Sequence, residues 1–455
     1  MVSPEQTLAR FVAGLQPARV PPNTQRVLRQ MVMAVCGTAI AGAAEDGVAA
    51  LRDWLCENGG APQATTLVFG DQLPAHAAAQ FNGTLCRALD FCDAMAPGPH
   101  NGAALFPAAL AAAELVGGCS GAEFITALAA GAELGARFNL NEAQYNGLDP
   151  TGIAVVFAST AAAARILKLT TEQTLNALAL AFNRCGGSFQ SHVDGSLGVR
   201  IVQGWVADAG VQCAQLARRG ITGPANFLAG HYGYAHLYGR GTLDPATVVQ
   251  GLGQEWRLHR MVFKKYPSCG VTQGVTELAL GLLADTGLQA ADVQSAEVRL
   301  PPYAHRLVGH HFQIGANPRV DAQFSAAYCV ANALVRRSSQ LPHFAPAQVH
   351  DAQVRALIGR ITVLADPALD ARGHTAVDLQ VRTHSGQVLQ RGLDIAPGFP
   401  GADLSEAQHL ARFNDCLAAA PRPPGAEQAA QLLAALQGLA GLPDVRALLP
   451  LMRLP

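Results

Sequence analysis

The sequence predicts a mostly α fold, in which a large all-helical domain is interrupted by a smaller α+β domain. Helix-start signals recur through the first 260 residues or so, strand-like alternation is confined to the stretch between about 293 and 393, and helical periodicity returns from Ser405 onward. A chain of 455 residues also exceeds the size at which one hydrophobic core stops growing, so at least two domains are expected.

Ser120-x-x-Glu123 is a capping box opening a run from Ala122 to Phe138, and Thr170-x-x-Gln173 opens one that ends near Phe182. In each, the hydroxyl takes the N–H of the third helical residue while that residue's side chain reaches back to the cap. Past Lys264 the character changes. A helix is expected from Val271 to Ala284, and Val293-Gln-Ser-Ala-Glu-Val-Arg-Leu then alternates like a half-buried strand. Asp321 to Arg337 reads as a further helix. Ile361–Ala365, Val377–Thr383 and a segment from Val388 read as strands, the last two forming a hairpin through His384-Ser-Gly-Gln. Ala396-Pro-Gly-Phe-Pro-Gly marks the return to the helical domain, and Pro421-Arg-Pro-Pro-Gly is a loop before the last helix. The expected division is therefore 1–265 with 396–455, helical, around 266–395, α+β.

Half of the residues are hydrophobic and only 14% are charged. Such a chain forms closely packed helices, with surface left over for a second subunit, and an oligomer is expected. A formal charge of −1 and a pI near 6.9 give no electrostatic footprint for nucleic acid or an anionic membrane. Met-Val-Ser-Pro-Glu-Gln lacks the pattern of a signal peptide, and polar residues interrupt the alanine-rich runs, so a soluble cytoplasmic protein is expected. The ten cysteines form no C-x-x-C pair and His310 and His311 are adjacent, which predicts no metal site. P-loop, dinucleotide-binding, G-x-S-x-G, H-E-x-x-H and kinase signatures are all missing.

Only three lysines occur against 29 arginines, and two of them are Lys264 and Lys265 in Phe-Lys-Lys-Tyr-Pro-Ser-Cys269. A lysine retained in an arginine-rich chain suggests a need for a compact, rotatable amine, although plain persistence would leave the same trace. Three polar segments at helix boundaries are the other candidates. Asp90-Phe-Cys-Asp93 leads through Gly98-Pro-His100-Asn-Gly102 into an alanine-rich helix, whose free N–H groups would attract a carboxylate, while a nearby Asp could fix the imidazole tautomer. Tyr145-Asn-Gly-Leu-Asp149-Pro-Thr151-Gly152 precedes another small-residue helix; there Asp149 or Thr151 could simply be a cap, and Tyr145 a packed aromatic. Ser191 to Gly204 is glycine-rich and contains Arg200, a fork suited to a carboxylate.

Taken in order, these segments resemble the MmgE/PrpD family, which includes 2-methylcitrate dehydratase, cis-aconitate decarboxylase and iminodisuccinate epimerase. The matching pieces are Ala88-Leu-Asp-Phe-Cys-Asp before His100, Asp149-Pro-Thr-Gly, Arg200 to Gly223-Pro with a sequel ending at Tyr234, and Lys264-Lys-Tyr-Pro-Ser-Cys. Asp321-Ala-Gln-Phe-Ser-Ala-Ala-Tyr and Gly398-Phe-Pro-Gly-Ala-Asp-Leu-Ser complete them, so that the resemblance covers almost the whole chain. It implies an inserted α+β lid, a homodimer, an active site in the cleft between domains, and neither a metal nor an organic cofactor. Asp90, His100 and Lys264 fall on positions the family uses around its substrate. Asp149 stands where many members carry a catalytic His, Ala94 where a Thr is common, Val199 where decarboxylases place a Lys, and Cys269 where they place a His.

The resemblance further implies a small di- or tricarboxylate that reacts at a carbon beside a carboxylate. In the reading that follows, Lys264, Arg200 and the helix start after His100 hold the carboxylates, with Asp149, Thr151 and Cys269 also lining the substrate. His100, oriented by Asp90, is general acid/base, and Tyr145 is the second proton-transfer group. A dehydratase-type lyase is expected. An epimerase of a dicarboxylate such as iminodisuccinate, and a catalytically silent carboxylate-binding homologue, are the alternatives.

Overall fold

The computed structural model describes residues 2–454. Helices account for 58% of the residues and strands for 9%, so the fold is mostly α with a small sheet region. The chain separates into two compact units, 1–261 with 416–455, and 262–415. Both crossings differ from the sequence boundaries. The first comes a few residues earlier, which assigns Lys264 to the second unit. The second comes about twenty residues later, within the helix Glu406–Ala418, because the Ala396–Ser405 segment is tied to the start of its own unit: Phe263 N donates to Gly398 O at 3.0 Å. Gly398 has φ +84°, and a Cβ there would lie 1.8 Å from Phe263 O, so only glycine permits this closure.

In the first unit the apolar helix Pro150–Ile166 is buried along nearly its whole length. Gly102–Leu115, Gly121–Arg137, Thr171–Phe182 and Gly198–Arg218 pack around it, and Gly198–Arg218 also packs on Ala75–Arg87. Alanine at most facing positions lets the helix axes approach closely, and Phe138, Phe157, Phe227 and Tyr234 fill the remaining volume, Phe138 stacking on Phe157 at 3.9 Å. Both expected capping boxes form, Ser120 with Glu123 and Thr170 with Gln173. The stretch Pro22–Ala44 is long and apolar enough to cross a bilayer by length and composition, and 83% of its apolar window is buried inside the protein.

The second unit contains the four-stranded sheet, in the order Ile361–Ala365, Val293–Leu300, Val377–Thr383, Val388–Leu393. The first pair is parallel and the others antiparallel, with Ala296 opposite Ile361 and Val381. Val293, Ala296, Val298 and Leu300 turn inward with Leu379 and Val381, and the helices Gln273–Thr286 and Ala326–Arg336 cover that face. The helix expected over Asp321–Arg337 is broken. Pro318–Gln323 ends, and Ser325 restarts the chain by accepting from Tyr328 N at 3.1 Å, an N-cap that propensity over the whole stretch conceals.

Candidate active site

A cluster of buried polar side chains forms in the first unit where three helix ends meet. Ala75–Arg87 ends at Arg87, whose buried guanidinium pairs with Asp90 three residues on and lies 3.4 Å from His100 Nε2. Asp90 sits at φ +51°, in the left-handed region where Asp is among the few residues tolerated. Burial opposes the Arg87 charge, but the carboxylates of Asp90 and, farther off, Asp149 outweigh it, so the guanidinium remains firmly protonated.

His100 Nδ1 lies 2.7 Å from the Asp93 carbonyl oxygen and 3.5 Å from Cys92 Sγ. A carbonyl can only accept, so Nδ1 donates to it, and because a guanidinium can only donate, Nε2 accepts from Arg87 Nη2 at 3.4 Å. The imidazole is thus oriented by the Asp93 backbone, and Asp90 reaches it through Arg87. The carboxylate of Asp93 has a separate task. It accepts from Gly102 N at 3.0 and 2.9 Å and caps the helix Gly102–Leu115, so the helix start expected to hold a substrate carboxylate already holds one from the chain itself.

Asp149 caps the helix Pro150–Ile166, Oδ1 accepting from Thr151 N at 2.8 Å and Gly152 N at 3.1 Å. It is thus a helix cap through one oxygen, while the other, Oδ2, lies 3.9 Å from His192 Nδ1. Thr151 Oγ1 accepts from His100 N and from Gln203 Nε2, each at 3.2 Å, and so ties the His100 segment to the helix Gly198–Arg218. A Cβ at Gly152 would lie 1.7 Å from Gly186 O, so glycine is what lets the segment leading to His192 run against this helix start. Within the cluster Asn101 is wholly buried with neither amide atom bonded, and Gln203 Oε1 is likewise without a partner.

Two expected site residues are engaged elsewhere. Tyr145 is buried, its hydroxyl donating to Asn139 Oδ1 at 2.6 Å and accepting from Leu140 N at 3.0 Å, and burial pushes its ionisation well above the ordinary phenol range. A phenol held at both positions is a poor proton carrier, and these contacts favour a structural role. Tyr145→Phe should leave turnover within about twofold and cost about 1–3 kcal/mol, the scale of a buried N–H left unpaired; activity assays with thermal melts check both. Arg200 donates to Asp46 O at 2.6 Å and Glu45 Oε2 at 3.2 Å, so its fork secures the 45–47 turn.

Lys264 and Cys269 belong to the second unit. Lys264 is 2% exposed and Cys269 joins that unit's apolar core, its N–H donating to Gln323 O at 3.0 Å. The adjacent lysine is used differently. Lys265 Nζ lies 2.7 Å from Glu277 Oε2, which also accepts from the Tyr266 hydroxyl at 2.5 Å. Among the described residues no group of three or more His, Cys, Asp or Glu could hold a metal ion.

The MmgE/PrpD N-terminal domain profile matches residues 6–245, and the C-terminal domain profile matches residues 266–437. The chain belongs to the MmgE/PrpD family. A cis-aconitate decarboxylase-like protein of Aspergillus oryzae is 25% identical over 424 residues, 86% of each chain. The cis-aconitate decarboxylase of Homo sapiens is 25% identical over 304 residues, 64% of this chain and 61% of its own, and that of Mus musculus is 24% identical over 305 residues with the same coverage. Within this MmgE/PrpD chain the sequence reading missed Arg87, the Asp93 cap, Gln203 and His192. The Arg-x-x-Asp spacing from Arg87 to Asp90 is a local signal for the first. The others meet only through tertiary packing.

Proposed function

We propose that this MmgE/PrpD protein is a cofactor-independent lyase of the dehydratase type, removing a proton from a carbon beside a carboxylate of a small di- or tricarboxylate. The observation that carries the reading is the setting of His100: Nδ1 donates to a backbone carbonyl, and Nε2 accepts from the Arg87 guanidinium over a long 3.4 Å, so that a closer proton can take over its lone pair. A lone pair fixed in direction is a general base, and an adjacent buried cation stabilises the negative charge that deprotonation places on the neighbouring carboxylate. The unpartnered Asn101 amide and Gln203 Oε1 support a polar ligand, since buried polar atoms normally find partners.

The names of the relatives point to cis-aconitate and its kin as substrates. Decarboxylation is the less favoured outcome, because Asp149, Val199 and Cys269 stand at positions where the family resemblance places proton-transfer groups of that branch. An epimerase remains the second reading, since the same base serves it. Incubating the protein in D2O with cis-aconitate, citrate, 2-methylcitrate and iminodisuccinate, followed by NMR, tests the reading. Transfer of water is expected; loss of CO2, or inversion without water transfer, would replace it, and saturable binding with no exchange would mark a silent homologue.

A further inference from the structure

With the Tyr145 hydroxyl engaged by Asn139 and Leu140, a dehydration that starts at His100 needs another acid for the departing hydroxyl. We infer that His192 supplies it. This rests on the dehydratase reading above and adds a residue to it.

His192 lies in the short helical turn Gln190–Val193, with its ring stacked on Phe189 at 4.3 Å and 6°. Its Nδ1 faces Asp149 Oδ2 at 3.9 Å, an ion-pair distance that substrate binding can tighten. Three contacts connect it to the base: His192 to Asp149, Asp149 Oδ1 to Thr151 N, and Thr151 Oγ1 to His100 N. The side chain is about one-eighth exposed, enough to meet a ligand without being solvated as a surface histidine is.

The charges around the two imidazoles are opposite in sign. His100 has a guanidinium 3.4 Å from Nε2, a polarity suited to a base. His192 has the Asp149 carboxylate 3.9 Å from Nδ1, a polarity suited to an acid. In the step that follows, the C–H bond breaks and His100 Nε2 takes the proton. The electron pair passes through the carboxylate-stabilised anion into a new C=C bond as the adjacent C–O bond breaks. The leaving oxygen takes a proton from the His192 imidazolium and departs as water, so no external oxidant or reductant is needed.

Because His192 acts only on C–O cleavage, His192→Gln should separate two readouts that His100→Asn should not. With 2-methylcitrate and citrate in D2O, His192→Gln is expected to lower net water loss about a hundredfold or more while solvent exchange at the C–H stays within about tenfold of wild type. His100→Asn should lower both together. Asp149→Asn, which can keep the helix cap through its remaining oxygen, should follow His192→Gln in direction, and thermal melts confirm that each variant is folded. Unchanged water loss in His192→Gln, or an equal fall in exchange and water loss, overturns the assignment and leaves the dehydratase reading standing. A wild-type protein that neither exchanges nor dehydrates any of these compounds, or that inverts them without losing water, overturns both.

Discussion

Replacing His100 with asparagine should lower turnover about a hundredfold or more, the usual scale for a general acid–base group, and leave the melting temperature within a few degrees of wild type. Asparagine is the informative substitution because its amide N–H can take over the donation that Nδ1 makes to the Asp93 carbonyl, 2.7 Å in the native protein. The loop is then still held, and what disappears is the Nε2 lone pair. Alanine would remove both and blur the result. If steady-state rates of His100→Asn on the best substrate fall within about tenfold of wild type, His100 is not the base, and the Arg87–Asp90 pair beside it is purely structural.

The largest loss of stability is expected from Arg137→Met. Arg137 and Glu133 are both fully buried, 2.6 Å apart at i,i+4 spacing on the helix Gly121–Arg137. Arg137 also donates to the carbonyls of Val248, Gln250 and Glu255, at 2.9, 2.7 and 3.1 Å, while Glu133 Oε2 accepts from Leu258 N at 3.1 Å. The pair therefore anchors the whole 248–258 segment to the helical core. Removing the cation leaves a buried carboxylate and three carbonyls without their donor, a cost of about 3–5 kcal/mol, or roughly 10 °C in a unit of this size. The double variant Glu133→Leu with Arg137→Met should recover part of that loss, because no uncompensated charge remains. A melting temperature lowered by less than about 2 °C in the single variant would show that the segment is held by other contacts. By contrast Arg299 and Glu297, exposed on the sheet where solvent screens the pair, should change stability little when uncoupled.

The elements were legible where the signal is local. Ser120 and Thr170 announce their helices because a capping box is completed within four residues, and the Val377–Leu393 hairpin shows because alternation and turn chemistry lie side by side. The site was legible in its anchor, His100, and in the weaker reading of Asp149 as a cap. It was not legible in its connections. Asp93 caps a helix that starts nine residues later, a spacing no local rule contains, and that contact closes the site against the carboxylate expected there. Tyr145 could be judged only once Asn139 and Leu140 were seen to fold back on its hydroxyl, and Arg200 only once the 45–47 turn reached it from a distant part of the chain. Side-chain types name what a residue can do, while packing decides which of those capacities is left over.

The contact between Gly152 and the Gly186 carbonyl has an implication for engineering. It is a fixed pivot: a single added methyl at position 152 would lever the 186–193 strap, His192 with it, off the start of its helix. Attempts to reshape substrate preference by library mutagenesis should therefore hold positions 152 and 192 constant and diversify Val193 to Leu197, where side chains are mostly open to solvent and the anchorage is undisturbed.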